Sequence, residues 1–501
     1  MSPTLVLSLI AGYFTILIII ALLTSRKATS ASFFVANRNV PWYMVAFAMI
    51  GTSLSGVSFI SVPGMVHAQA WSYMSVVFGY LAGYLVIGTV LLPLYYKLNL
   101  VSIYTYLETR FGFWSYKTGA ALFLISRAIG AALRLYVVAG VLQVAVFDDL
   151  GVPFAVTVAV SILLIYLYTF RGGLKTILWT DTFQTLAMLT SVGISIYLIS
   201  DELNLGFQQV IQTVRKSEMS QIFFWEWTDS RKFWTQFVSG MFITIVMTGL
   251  DQDLMQKNLS CRTLKDAQKN MFWFALILVP VNILFLSLGV LLYQYAAAKG
   301  IQLPVNAATG KVIGDDVFPL LATEHFSLFA GIVFILGIIA VTYSSADSAL
   351  TALTTSFCVD FLTISKYTEA EQSKMRQRTH LMFTVVLVLI ILVFRALNNQ
   401  SLITAVFKAA GYTYGPLLGL FAFGIFTRRQ LTDRLVPYMC VWPPVFCYIL
   451  NANSKAWLGG YEFGFEILLV NGLLTFLGLL AISRPAEVGS AVNPAAAELV
   501  S

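Results

Sequence analysis

Ser344, Asp347, Ser348, Thr351 and Thr355 carry oxygen and fall at i, i+3, i+4, i+7 and i+11. On a helix of about 3.6 residues per turn they form one stripe. The apolar region around them, from near Leu328 to Leu362, is long enough to cross a bilayer. Hydroxyls around a carboxylate at membrane depth make a seat for a hard cation, which takes oxygen donors. Hydroxyls alone also bond neighbouring spans together. Asp347 tips the balance, because a charge inside the membrane is expensive and marks an ion or proton path.

A second stretch offers backbone oxygens. Residues 49–64 set Gly51 and Gly56 among small hydroxyl residues and end in Pro63-Gly64. Such a sequence lets a helix unwind and free its carbonyls, which is tolerated where they line a cavity. Transporters hold ions and solutes on broken helices of this kind; a glycine-rich packing face is the alternative. Arg127 and Arg134 stand seven residues apart on roughly one face of the fourth apolar segment. Arg127 can snorkel to the membrane edge. Arg134 lies too deep for that, so it faces a cavity or an acid, and its guanidinium suits bidentate binding of a carboxylate. Asp181, about one turn into the sixth segment, is either a helix cap or an ion ligand. Asp251 and Asp253 have basic residues in the next loop as neighbours and are placed outside any site. His67, His325 and His380 read as interfacial. The four scattered cysteines show neither metal nor disulfide spacing.

A membrane must position these groups. Of 501 residues, 58% are hydrophobic and only 11% charged, and the mean hydropathy is +0.80; a soluble domain carries roughly 25% charged residues. A span needs about 20 apolar residues. About 13 segments qualify, near 4–24, 43–65, 73–96, 118–146, 154–170, 177–199, 235–253, 271–295, 328–360, 380–397, 402–426, 433–452 and 464–483. The connections are too short for a separate catalytic domain, and no phosphate-binding loop is present. The first segment lacks a basic n-region and reads as a retained helix. Loops assigned to the cytoplasm hold roughly 20 Lys/Arg, among them Arg26, Lys27, Arg110, Lys257, Arg262 and Arg376, against about 8 outside. This predicts an N-terminus outside and a C-terminus in the cytoplasm. Anionic lipid then accounts for the net charge of +7, and no nucleic acid partner is needed. Gly411, Gly415 and Gly419 form a close-packing face in the eleventh segment.

Several motifs carry a resemblance across roughly residues 5–483: Ser53-Leu-Ser-Gly-Val-Ser-Phe59, Tyr104-Thr-Tyr-Leu-Glu-Thr-Arg-Phe111, Gly172-Gly-Leu-Lys-Thr-Ile-Leu-Trp-Thr-Asp181, Asp251-Gln-Asp-Leu-Met-Gln256, Ser344-Ser345 with Asp360, and Gly415-Pro-Leu-Leu-Gly-Leu-Phe421. In this order and on these spans, the chain resembles the sodium:solute symporter family, with likeness to bacterial sialic acid symporters and to the branch carrying monocarboxylates, vitamins and iodide. The resemblance implies an all-α membrane protein of LeuT type, with two five-helix repeats of inverted topology. As one transporter domain over 1–483, it has an extra helix at 4–24, repeats at 43–199 and 235–426, two further helices at 433–483, and a cytoplasmic tail at 485–501.

The family's shared sodium site maps onto the carbonyls of Gly51, Leu54 and Val341 and the hydroxyls of Ser344 and Ser345. That all-oxygen set suits sodium and no transition metal. A second cation site, found in some members, maps onto Asp181, Ser344, Asp347 and Ser348. Asp347 stands where those members have a hydroxyl, which leaves tighter sodium binding, a proton, or a salt bridge to Arg134 or Lys408 as the options. The solute maps onto Ser53, Ser55 and Ser58, with Arg134 within one residue of an arginine that holds a carboxylate in sialic acid symporters. Val77 stands where those symporters have a glutamine.

The expectation is therefore a sodium-coupled secondary active symporter, not an enzyme. It imports a small organic solute, with an anion such as sialic acid or another carboxylate first and a neutral sugar, polyol or proline-like amino acid as the alternative. One or two sodium ions and no organic cofactor are expected. The setting is the lipid bilayer of a cytoplasmic (inner) membrane, with a monomeric transport unit. A transporter-like membrane sensor is the rival class.

Overall fold

In chain order the apolar segments fold as α1 (Pro3–Thr24), the pair α2 (Trp42–Ser53) and α3 (Gly56–Gly64), α4 (Tyr73–Val86), α5 (Phe113–Leu142), α6 (Phe154–Thr169) and α7 (Gly173–Glu202). There follow the pair α8 (Phe233–Thr244) and α9 (Gln252–Asn258), then α10 (Leu264–Ala298), α11 (Leu328–Ser356), α12 (Glu369–Leu397), α13 (Leu402–Phe426), α14 (Val436–Trp457) and α15 (Ile467–Ala481). The computed structural model describes residues 3–485 except 26–28, 144–146, 149, 171, 227–228, 307–309, 398–401 and 462. Arg26, Lys27, the tail beyond 485 and the side chain of Lys408 lie outside the described set. A two-residue ribbon, Gln430–Leu431 against Ser483–Arg484, ties the end of α13 to the end of α15.

The two broken helices have local causes. α2 and α3 meet at 62° because Leu54 and Ser55 are extended. The α2 ladder ends with the Leu54 N–H on the Ile50 carbonyl at 2.9 Å. Ser58 Oγ accepts the Ser55 N–H at 3.4 Å, and the carbonyls before the break are left without helical partners. The second break, of 70°, follows one wide turn at Ile245–Gly249. There Asp251 is extended and caps α9, its carboxylate accepting the Asp253 N–H at 2.9 Å. The Gly249 and Leu250 carbonyls freed by this break each accept a tyrosine hydroxyl at 2.9 Å, from Tyr95 and Tyr104.

α5, which carries both arginines, is anchored at its start by a residue far away in sequence. Asp433 accepts the Trp114 and Ser115 N–H groups at 2.8 Å each and the Ser115 hydroxyl at 2.6 Å. Gly112 permits this approach at φ 136°, since a Cβ there would stand 2.8 Å from Asp433 Oδ2. α11 lies at the centre, against α2, α5, α7, α9 and α12, and every residue from Gly337 to Ser356 is buried. Its polar stripe must therefore be paired inside the protein.

Several groups expected at the surface are inside. Lys257, counted among loop residues, is fully buried, because the bend at Asp251 turns α9 back into the protein. Arg127 does not snorkel; it is buried and paired with Asp251 and Asp253, whose partner is thus on α5 and not in the next loop. His380 is buried between the hydroxyls of Thr169 and Thr354, each at 2.8 Å, while His67 and His325 are exposed. Arg110 is buried as well, and donates to the carbonyls of Gly424, Thr427 and Arg429, closing the end of α13. The glycine face of α13 meets α15: Gly415 faces Asn471, and Gly419 faces the Gly472 carbonyl.

α4 and α8 cross in backbone contact. A Cβ on Gly240 would lie 2.2 Å from the Val76 carbonyl oxygen, and one on Gly79 would lie 2.1 Å from that of Phe237. Gly240→Ala is expected to force the two helices apart and cost about 1–3 kcal/mol. The check is the thermal unfolding midpoint of purified protein in detergent; an unchanged midpoint would mean these backbones do not touch.

Candidate functional site

α11 turns two faces toward different neighbours. On one, Ser345 Oγ lies 3.3 Å from the Leu54 carbonyl at the α2–α3 break and 3.4 Å from the Val341 carbonyl one turn back. Gly51 packs beside them; a Cβ there would stand 3.0 Å from Ser344 Oγ and 2.3 Å from Thr185 Oγ1. The structure thus brings Gly51, Leu54, Val341, Ser344 and Ser345 together. Two of the carbonyls involved are available for different reasons: Leu54 sits at the break, and Val341 shares its oxygen with a hydroxyl. The donor set is all oxygen, as a hard cation requires.

On the other face Ser344 Oγ donates to Asp181 Oδ1 at 2.6 Å, and Ser348 Oγ lies 3.3 Å from Asp181 Oδ2. Thr52, next to Gly51, donates to the same carboxylate at 3.1 Å. Into this group comes Lys257 from α9. Its Nζ lies 2.5 Å from Asp181 Oδ2 and 2.6 Å from Ser348 Oγ, and also contacts Thr52 Oγ1. Asp347 does not join. It turns toward α6, accepting the Tyr168 hydroxyl at 2.7 Å and the Ser348 N–H at 2.6 Å. Of the four residues expected around a second cation, three meet and the fourth faces away. Asp181 is fully buried, so a helix-end cap is not its role.

A cavity of about 90 Å³ opens beside the α2–α3 break. Ser53, Ser55, Ser58 and Arg134 all line it, together with Tyr73, Tyr80, Tyr84 and Asn282. Tyr73 and Tyr80, seven residues apart on α4, hold hydroxyl to hydroxyl at 3.0 Å. Arg127 also reaches the wall, but its charge is met by the two aspartates, with Tyr414 donating to Asp251 at 2.5 Å. Arg134 has no ion-pair partner among the described residues. The volume is below the roughly 300–1,000 Å³ of small-molecule pockets, so binding a solute requires this space to widen.

Lys257, Thr52, Tyr168, the cavity tyrosines and Asn282 are contributors that sequence reasoning misses. Asn282 had a signal, an amide among apolar residues beside Pro280 in the eighth segment. Lys257 had none by hydropathy, since it follows the predicted end of a span.

The fold is of the LeuT type, built on two broken helices. The sodium:solute symporter family profile matches residues 33–433, and the chain belongs to that family. It is a multi-pass membrane transporter that couples sodium to a small organic solute, and not an enzyme. The sodium/sialic acid symporter NanT of Aliivibrio fischeri is 25% identical over 409 residues, covering 81% of this chain and 79% of that one. The human sodium-coupled monocarboxylate transporter 2 is 25% identical over 410 residues, covering 80% of this chain and 64% of that one. Among solved structures, a substrate-bound, outward-open Na+-coupled sialic acid symporter superposes with a TM-score of 0.79 at 20% identity, covering 96% of this chain and 99% of that one. The nucleobase-cation-symport-1 transporter Mhp1 in a closed conformation gives 0.55 at 14% identity, covering 93% and 97%.

The Asp181–Lys257 pair is wholly out of water, so removing one partner strands a charge. Asp181→Asn is expected to cost about 3–5 kcal/mol, and Asp181→Asn with Lys257→Met to recover most of it. Thermal unfolding of the two variants and their parent checks this; equal losses in the single and double variants would mean the charges do not interact.

Proposed function

We propose that this symporter imports an organic anion together with sodium across a cytoplasmic (inner) membrane, with its N-terminus outside and its C-terminus inside. Sodium is held by the Gly51, Leu54 and Val341 carbonyls and the Ser344 and Ser345 hydroxyls. The solute lies in the cavity against Ser53, Ser55 and Ser58, and its carboxylate meets Arg134. The single observation that carries the reading is Arg134: a guanidinium on a cavity wall, without an acidic partner among the described residues, beside an arginine that has two.

Polar groups around the same cavity extend the reading. Three tyrosines, Asn282 and the three serines offer hydroxyl and amide partners around the cavity that Arg134 also lines. That combination suits a carboxylate bearing several hydroxyls, such as sialic acid, which the relatives NanT of Aliivibrio fischeri and SiaT of Proteus mirabilis carry by name.

The repeats proposed are 43–199 and 235–426, and the bends of 62° and 70° fall in the first helix of each. Alternating access then consists of rearrangement around the two bends. The sodium seat and the cavity share the α2–α3 break, so filling one shapes the other. A single chain contains both, which supports a monomeric transport unit.

Two substitutions separate the ion from the solute. Ser345→Ala is expected to raise the sodium concentration for half-maximal uptake about tenfold or more, as loss of a bond to a charged partner of about 1.5–3 kcal/mol implies. Arg134→Gln is expected to raise KM for N-acetylneuraminate by a similar factor, with Arg134→Lys restoring little of it. Uptake into proteoliposomes with and without a sodium gradient measures both. Sodium-independent accumulation would overturn the symport reading; an unchanged KM in Arg134→Gln would overturn the anion reading and favour a neutral sugar or amino acid.

A further inference from the structure

We propose that Lys257 is a tethered cation that fills the second ion position, so that the protein carries one sodium per solute. This rests on the sodium-symport reading above and deepens it.

The argument begins with the group Lys257 enters. Asp181, Ser344, Ser348 and Thr52 supply one carboxylate and three hydroxyls, all buried. A carboxylate with that many oxygens around it, in a place closed to water, calls for a positive charge. The lysine ammonium supplies one. It has three N–H donors and meets three acceptors: Asp181 Oδ2 at 2.5 Å, Ser348 Oγ at 2.6 Å and Thr52 Oγ1. Among the described residues its ion pair is with Asp181, while the Asp347 carboxylate accepts the Tyr168 hydroxyl. The charge that neutralises Asp181 is therefore covalently part of α9.

A free ion arrives and departs with each cycle; a tethered one stays. A sodium ion at this position would have to displace Nζ from all three oxygens and strand a buried ammonium. The main seat escapes this conflict, because its Leu54 and Val341 carbonyls and Ser345 hydroxyl are not bonded to Lys257. Ion chemistry is thus preserved at one position and taken over by a side chain of the protein at the other.

The test counts ions without needing the natural solute. Equilibrium binding of ²²Na+ to the purified full-length protein in detergent is expected to give one ion per chain. Lys257→Met leaves the Asp181 carboxylate and its hydroxyls facing an empty volume, and is expected to bind two. Lys257→Met with Asp181→Asn should return to one. In proteoliposomes the ²²Na+ to N-acetylneuraminate flux ratio should read one for the parent protein. Two ions on the parent protein would overturn the tethered-cation proposal, as would one ion on a folded Lys257→Met variant. If Lys257→Met does not fold, the parent count alone decides. A parent protein that binds no sodium would overturn the symport reading itself.

Discussion

A seven-residue half-helix, α9, is wholly buried yet carries two charged side chains and follows a third at its cap. Asp251 and Asp253 at its start pair with Arg127 of α5, and Lys257 in its last turn pairs with Asp181 of α7. Buried charges of this kind hold a structure together mainly through what it would cost to separate them. The neutral polar groups of α9 are used in the same way. Gln252 binds the backbone on both sides, from Ile103 and to Val101, and Gln256 binds Thr355 of α11. α9 thus fixes the spacing between α5, α7 and α11, the three helices that bear the arginines, the aspartate and the hydroxyl stripe.

α11 has the complementary task. It contributes almost no apolar specificity at its middle, where small and hydroxyl residues let α2 and α7 come close. Ser345 serves the break in α2, while Ser344 and Ser348 serve Asp181. Because consecutive residues on a helix point about 100° apart, two adjacent serines address two different neighbours. The cavity side of the break then carries Ser53, Ser55 and Ser58, so the proposed ion and solute positions are separated by only a few residues of backbone.

Much of this was legible in the sequence, and the exceptions share one cause. Gly51 and Gly56 among hydroxyls pointed to the break in the second segment, the 3.6-residue period to the stripe on α11, and the depth of Arg134 to a cavity. Hydropathy cannot report a bend that folds a polar half-helix back inside. It reads Lys257, Asp251 and Asp253 as the cytoplasmic end of a span, where their charges look solvated. The same averaging hides His380, which lies near a span end in sequence but meets Thr169 and Thr354 in the interior. The direction of Asp347 was equally out of reach, since helical spacing places it beside Ser344 and only the position of α6 brings Tyr168 within 2.7 Å.

In the proposed reading the two ion positions are linked through Thr52. Its hydroxyl belongs to the Asp181–Lys257 group, while its neighbour Gly51 belongs to the seat formed by Leu54, Val341 and Ser345. Any movement of α9 that withdraws Lys257 takes away a partner of Thr52 at the last turn of α2, immediately before the break. Conversely, an ion at the proposed seat, drawing the Leu54 carbonyl and Ser345 together, would steady the same turn and favour docking of α9. A covalently held charge is suited to this task, because its position reports the position of its helix. On the proposed site assignment, sodium binding at one seat and helix docking at the other become two halves of a single closure, joined across one peptide bond.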